Sequence, residues 1–167
     1  MKESFSAPAS VGSDFAIRRI TDARDLDTIA AWMQQWWGDR EGYAPEAVRA
    51  SMARGLNADR LPQTFGLYHR VRLIGMYQFT MEDLFVRPDL YPWLANVWIE
   101  PAYRGRGLGR LLLGTVPANA RAAGLSELYL FTEHTGLYEK LGWTFLEPVD
   151  TFLEPRLQNL YRLTVEE

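Results

Sequence analysis

Residues Trp93 to Leu113 read WLANVWIEPAYRGRGLGRLLL. The run begins with an apolar, strand-like segment, Trp93 to Ile99, and ends in a leucine-rich segment, Leu108 to Leu113, that opens a helix. Between them lies Arg104-Gly105-Arg106-Gly107-Leu108-Gly109. Small residues at a strand-to-helix turn let backbone N–H groups converge on an anion, and the helix N-terminus adds partial positive charge. Arg104 and Arg106 stand at the rim with guanidinium groups that stay charged at any working pH. The turn therefore reads as the seat of a pyrophosphate on a phosphorylated cofactor. A turn that merely reverses the chain needs one or two glycines, not three with paired arginines.

The spacing excludes two common phosphate loops. A dinucleotide fold wants G-x-G-x-x-G after its first strand and an acid about 20 residues on. A P-loop wants Lys-Ser/Thr after the last glycine, and here Gly109 is followed by Arg110 and Leu111.

A second stretch, Leu128 to Trp143, reads LYLFTEHTGLYEKLGW. With the first it resembles the GNAT superfamily of acetyl-CoA-dependent N-acetyltransferases. Arg104, Gly107 and Gly109 match that family's acyl-CoA motif, Gln/Arg-x-x-Gly-x-Gly/Ala. Tyr138, Glu139, Leu141, Gly142 and Trp143 match its later Tyr-Glu-x-Leu-Gly-Phe/Trp pattern. The resemblance is specific from Trp93 to Phe145 and weak before that. It implies an α/β fold, an α+β mixed sheet whose central strands splay apart so that the pantetheine arm lies between them like a missing strand. It also implies acetyl-CoA as co-substrate, no metal, and direct transfer to a primary amine in a ternary complex.

The same resemblance distributes roles. Val97, Trp98 and Ile99 match the segment whose backbone pairs with the pantetheine arm, and the N–H of Ile99 is a candidate donor to the thioester oxygen. Val97 and Ile99 can equally be strand core. The stretch Arg104, Gly105, Arg106, Gly107, Leu108, Gly109 and Arg110 is expected to hold the pyrophosphate. Tyr138 is the expected catalytic acid: a phenol with pKa near 10 stays protonated beside a thiol of about 8.5 and can donate to a developing thiolate. A buried tyrosine whose hydroxyl merely finds a partner is the structural alternative. Many family members carry an Asn seven residues before the tyrosine; here that place is Phe131, so Thr132 is the candidate for the missing hydrogen bond. His134 in the same loop is either a proton relay or a solvent-facing cap.

The general base is left open. An amine with pKa near 10.4 is neutral in about 1 in 2,500 molecules at pH 7, a cost of about 4.6 kcal/mol that a base would ease. Glu82, Asp83 and Glu100 follow strands and are candidates, as is a water chain, because Trp93 stands where some family members place a carboxylate. Acceptor recognition falls to the first half. Trp32, Trp36 and Trp37 precede Gly38-Asp39-Arg40-Glu41-Gly42-Tyr43, where rings and acids suit a cationic amine. Trp32 and Trp36 are expected in the core. Phe85 to Pro92 forms a second candidate rim, stiffened by Pro88 and Pro92.

Composition narrows the classes. At 167 residues the chain suits a flexible lead-in, residues 1–13, and a single domain, residues 14–167. Hydrophobic content of 47% and six tryptophans favour a folded globule over a disordered chain. A net charge of −3 gives no reason to expect nucleic acid. The absence of cysteine removes disulfides, thiolate nucleophiles and Cys-based zinc sites, and two histidines cannot build a His-rich metal centre. No segment has the length and apolarity of a signal h-region or a membrane span, so the expectation is a cytoplasmic protein with no membrane partner. Pairing through the last strand into a homodimer is an analogy with the family. The acceptor is expected to be a small molecule. A non-catalytic acyl-CoA-binding sensor or interaction module, and transfer of a longer acyl chain, stay open.

Element order reads as alternating α and β. A strand is expected from Phe15 to Ile20, then a helix capped by Thr21 or Asp22 that carries Leu26, Ile29, Ala30, Met33 and Trp37. A second helix follows from Pro45 to Leu56, then a hairpin through His69-Arg70-Val71-Arg72. Leu94 to Ile99 is a strand and Gly107 to Ala123 a helix kinked near Pro117. Glu127 to Thr132 is a strand, Thr135 to Leu141 a short helix, and Trp143–Leu146 and Arg156–Val165 the last strands.

Overall fold

A computed structural model describes residues 14–167. The lead-in expected at residues 1–13 lies outside the described residues. Among the described residues seven strands form one sheet in the order β1-β2-β3-β4-β5-β7-β6. They are β1 (Phe15–Ile20), β2 (Gln63–His69), β3 (Arg72–Thr80), β4 (Trp93–Ile99), β5 (Glu127–Thr132), β6 (Thr144–Asp150) and β7 (Leu157–Thr164). Neighbours are antiparallel except β4 and β5, which run parallel. Helices α1 (Leu26–Met33), α2 (Asp39–Glu41) and α3 (Pro45–Ala53) come between β1 and β2, and α4 (Leu108–Leu113) and α5 (Val116–Ala122) between β4 and β5.

Both faces of the central strands are covered, which is why β2 and β3 are buried almost without a break. Phe65, Leu67, Ile74, Tyr77 and Phe79 pack with Leu108, Leu112, Val116 and Ala120 in one core. On the other face Tyr68, Leu73 and Met76 pack with Ile29, Trp32, Met33, Val48 and Met52. Alternate residues serve opposite cores, as the pleat requires, except where a register shift between β2 and β3 inserts one residue between Leu73 and Gly75.

Local chemistry shifts several expected boundaries. Helix α1 begins after Asp25, whose carboxylate accepts a hydrogen bond from the Tyr68 hydroxyl at 2.7 Å, while Asp22 takes the N–H of Arg24 in the turn before. Neither Thr21 nor Asp22 is the cap. After Met33 the chain loosens into a π turn, Gln34–Gly38, of a kind often found at functional sites. Trp37, within that turn, still packs against the core of Leu26, Ile29 and Met33. The predicted Gly107–Ala123 helix is two helices with Gly114 and Thr115 between them, both still right-handed, and Pro117 falls in the first turn of α5, where its missing N–H costs least. Thr115 secures the break: its hydroxyl donates to the Leu112 carbonyl at 2.7 Å and lies 3.0 Å from the Tyr77 hydroxyl, which also accepts from Asn119. The short helix expected from Thr135 is a single 3-10 turn, Glu139–Leu141, preceded by Tyr138.

Two irregularities in β4 prepare the site. Met76 pairs with Trp98 and Gln78 with Ala95, so one residue of β3, Tyr77, opposes two of β4, Asn96 and Val97. This is a β-bulge, and Asn96 adopts φ 53°, a left-handed conformation that Asn tolerates better than most side chains. Towards β5, a single registered pair, Trp93 with Tyr129, joins the two parallel strands. Beyond it they separate.

Candidate acyl-donor and acceptor site

The opening between β4 and β5 is the organising feature. Glu100 donates its N–H to the Ile74 carbonyl at 2.8 Å, so the β3 edge takes Glu100 and, by alternation, Trp98. The backbone groups of Val97 and Ile99 then point to the β5 edge, where no ladder partner meets them. The Ile99 carbonyl uses this freedom to accept from Arg104 Nε at 2.7 Å. Their side chains pack on the core beneath α4 and α5, while Trp98 packs on the opposite core. The strand-core reading and the backbone-donor reading of Val97 and Ile99 are thus compatible.

At the end of β4 the chain turns through Pro101–Tyr103 into the glycine segment. Gly105 and Gly107 both have φ 77°, and Gly107 is the N-cap of α4. A Cβ placed on Gly105, Gly107 or Gly109 would meet nothing within 4 Å, so these residues form an open cradle. Leu111 N–H bonds back to the Gly107 carbonyl at 3.2 Å, whereas the N–H groups of Leu108, Gly109 and Arg110 are the orphan donors of a helix start. Arg104 and Arg106 lie over the rings of Trp98 and Tyr103 at 4.8 and 5.3 Å, which holds them at the rim, and Arg110 is exposed. A diphosphate fits this donor set. Replacing Gly107 with Ala should cost about 1–2 kcal/mol of stability through the left-handed φ. Chemical denaturation would read that loss, and calorimetry should show weaker coenzyme A binding alongside it.

Tyr138 is 7% exposed, edge-on to Trp143 and tilted against Tyr161, each with ring centroids 5.9 Å apart. It lies in the core cluster that Val97, Ile99 and Tyr103 pack against. Its hydroxyl makes no hydrogen bond to the described residues, unlike that of Tyr161, which donates to Glu139 at 2.6 Å. Burial pushes the Tyr138 phenol up to about 12. Thr132 lies across the opening, and its hydroxyl accepts the His134 N–H at 3.1 Å. His134 is exposed, with its carbonyl taking a 3.4 Å bond from Asn159. Phe131 turns the other way and meets Trp93 edge-on.

The three candidate bases separate clearly. Glu100 is engaged by Arg72 at 2.7 Å in an ion pair that ties β4 to β3. Glu82 is exposed at the end of β3. Asp83 differs in its electrostatic surroundings, although the residue is exposed to solvent. Desolvation first, and the Glu41 carboxylate second, push its pKa up to about 7. Its exposure to solvent tempers that shift. Glu41 ends α2, so the stretch after α1 foreseen as an acceptor rim comes near the end of β3.

The aromatic residues sort differently from expectation. Trp32 is buried at 8%, as anticipated, but Trp36 is 40% exposed and tilts against Trp98 at 5.8 Å, so it belongs to the rim instead of the core. Tyr43 and Phe85 are exposed as well. Arg87 is occupied by Asp89 and Glu147, each at 2.8 Å, which pins the β3–β4 loop to β6. Sequence reasoning passed over Asn96, although an amide inside the apolar run WLANVWI is a signal in itself. Among the described residues no group of three or more His, Cys, Asp or Glu could hold a metal ion, and no helix is long and apolar enough to cross a membrane.

Comparison with known proteins agrees with this architecture. Residues 26–143 match the model of the acetyltransferase (GNAT) family. No curated protein matches the sequence. Among solved structures, yncA of Salmonella typhimurium, described with its cofactor acetyl-CoA, is 21% identical with a TM-score of 0.71, over 93% of this chain and 96% of that one. A GNAT-family acetyltransferase of Streptococcus pneumoniae is 19% identical with a TM-score of 0.68, over 91% and 99%. The ribosomal-protein-S18-alanine N-acetyltransferase of Escherichia coli is 18% identical with a TM-score of 0.63, over 92% and 95%. At these identities the likeness is one of fold.

Proposed function

The chain belongs to the acetyltransferase (GNAT) family, and we propose that it moves the acetyl group of acetyl-CoA to a primary amine of a small molecule by direct transfer in a ternary complex. The observation that carries this reading is the unpaired β4 edge at Val97–Ile99 beside an open glycine turn at a helix start. Acetyl-CoA would supply the activated thioester. The N–H groups of Leu108, Gly109 and Arg110, with the arginines at the rim, would hold its pyrophosphate. The free backbone of Val97 and Ile99 would align the pantetheine arm as an added strand, with the Ile99 N–H directed at the thioester oxygen. Thr132 stands across the opening, where its hydroxyl can still donate.

The chain's own titratable groups divide the proton work. Asp83 is the base: a carboxyl near pKa 7 is substantially ionised at neutral pH and can take the proton that the amine nitrogen gives up as it bonds to the thioester carbon. Glu41 keeps the acceptor mouth anionic, and the exposed rings of Trp36, Tyr43 and Phe85 offer cation–π faces to an amine. Tyr138 donates a hydrogen bond to the departing sulfur. The chain has no cysteine, so a thiol acyl-enzyme cannot form.

The test is thiol release from acetyl-CoA with polyamines, amino acids, aminoglycosides and peptide N-termini as acceptors. Turnover is expected on small cationic amines above peptide N-termini. Tight acetyl-CoA binding without turnover on any amine would turn the reading to a sensor, and absence of coenzyme A binding would remove the cofactor assignment.

A further inference from the structure

Asn96 sits at the bulge of β4 with both ends of its amide engaged. Its Oδ1 accepts from the Trp37 indole N–H at 3.2 Å, and its Nδ2 donates to Gln78 Oε1 at 2.7 Å. Gln78 Nε2 donates to Thr64 Oγ1 at 2.9 Å, and Thr64 donates to the Gly55 carbonyl at 2.9 Å. Gln78 is 2% exposed and Thr64 fully buried, so the inner half of this chain is shut off from water. An indole can only donate and a carbonyl can only accept. These two ends therefore fix the orientation of both amides between them, and no member can flip without leaving a buried group unpaired. The chain starts on the π turn beside the acceptor rim, crosses the bulge of the donor strand, and ends behind α3.

We propose that Asn96 is a positioning residue, and that the Trp37–Asn96–Gln78–Thr64 chain holds the β4 bulge in the form that turns Val97–Ile99 away from β5 while locking the acceptor rim to the same point. The inference rests on reading the β4–β5 opening as the acyl-donor slot. The bulge needs a residue at φ 53°, which Asn tolerates and Gly adopts freely. Backbone conformation and side-chain bonding are thus separable: Asn96→Gly keeps the first and removes the second, and Asn96→Ala removes both. Trp37→Phe deletes only the donor at the outer end. Thr64→Val deletes the inner end, at a buried site on β2 away from the rim.

The experiment combines coenzyme A calorimetry, steady-state kinetics and exchange of the Trp37 indole proton followed by NMR. In the wild type that proton is expected to be protected, and Asn96→Gly and Thr64→Val should each speed its exchange by about tenfold or more. Asn96→Gly and Trp37→Phe should each weaken coenzyme A binding by about tenfold, with the double variant no worse than the weaker single. The acetyl-CoA KM should rise with kcat little changed, because the reacting groups are untouched. An unprotected indole proton in the wild type, or multiplicative losses in the double variant, would overturn the relay. Should Thr64→Val not fold, the Asn96→Gly and Trp37→Phe pair decides the matter alone. If the wild type binds no coenzyme A, the donor-slot reading fails, and indole exchange still reports whether the relay exists.

Discussion

Tyr138→Phe should lower kcat about 100-fold, equivalent to about 2.7 kcal/mol of transition-state stabilisation, while coenzyme A affinity and thermal stability stay near wild type. The Tyr138 hydroxyl is isolated. It is attached to a ring buried among Trp143 and Tyr161, yet it makes no hydrogen bond to the described residues. A structural tyrosine loses about 0.5–1.5 kcal/mol when its bonded hydroxyl is removed. Here there is no such bond to lose, so the phenylalanine variant should be neutral or slightly more stable. A phenol pushed up to about 12 is also a poor full proton donor to a thiolate of ordinary pKa, about 8.5, since complete transfer would run uphill by roughly 4.8 kcal/mol. Burial would raise the thiolate as well and shrink that gap. The role that fits is hydrogen-bond donation to developing charge, which needs no ionisation of Tyr138 at working pH. The pH–rate profile should accordingly show no alkaline limb from Tyr138 below about pH 12. A kcat within twofold of wild type, or a clear fall in melting temperature, would return Tyr138 to a packing role.

Asp83→Asn is the second large effect, and it acts on rate and stability in opposite directions. As base, Asp83 works as the carboxylate, so the wild-type kcat/KM should rise with pH and level off above about 7. The variant should lose that limb and fall about 100-fold at pH 7.5, within the range for removing a positioned base. The stability sign follows from linkage. The folded-state pKa is raised above its ordinary value, so the group favours the folded state at low pH, and that contribution disappears as pH rises through about 7. Replacing the carboxylate by a neutral amide should therefore raise the melting temperature most above pH 7, with the advantage fading as pH falls towards 4. Solvent contact at Asp83 will make the gain modest. A variant with the wild-type pH profile would assign the proton transfer to water or Glu82, and lower stability at pH 8 would contradict the burial argument.

Much of the architecture was legible because it rests on local rules. The apolar run Trp93–Ile99, the triple-glycine turn and the Leu108–Leu113 stripe each have one economical conformation, and the hairpin through Arg70 and Val71 closes where its turn residues stand. Pro117 forecast a disturbance in the helix after the glycine turn, and the structure resolves it into two helices. The Trp36 expectation failed because hydrophobicity cannot say which tryptophan of a crowded helix end faces out. The π turn rotates the register after Met33 and delivers Trp36 to the rim.

By itself, then, the sequence determined the kind of fold and the place of the glycine turn, because each is written in contiguous residues whose backbone preferences agree. Only tertiary structure decided which acid is the base candidate. Glu82 and Asp83 are neighbours with like charge, and what separates them is the desolvation of one carboxyl and the Glu41 carboxylate brought up from α2. It also decided that Asn96, an unremarked amide within an apolar strand, would meet Trp37 and Gln78 at the bulge. Desolvation and hydrogen-bond geometry are properties of space between chain segments, and they exist only once those segments have been folded together.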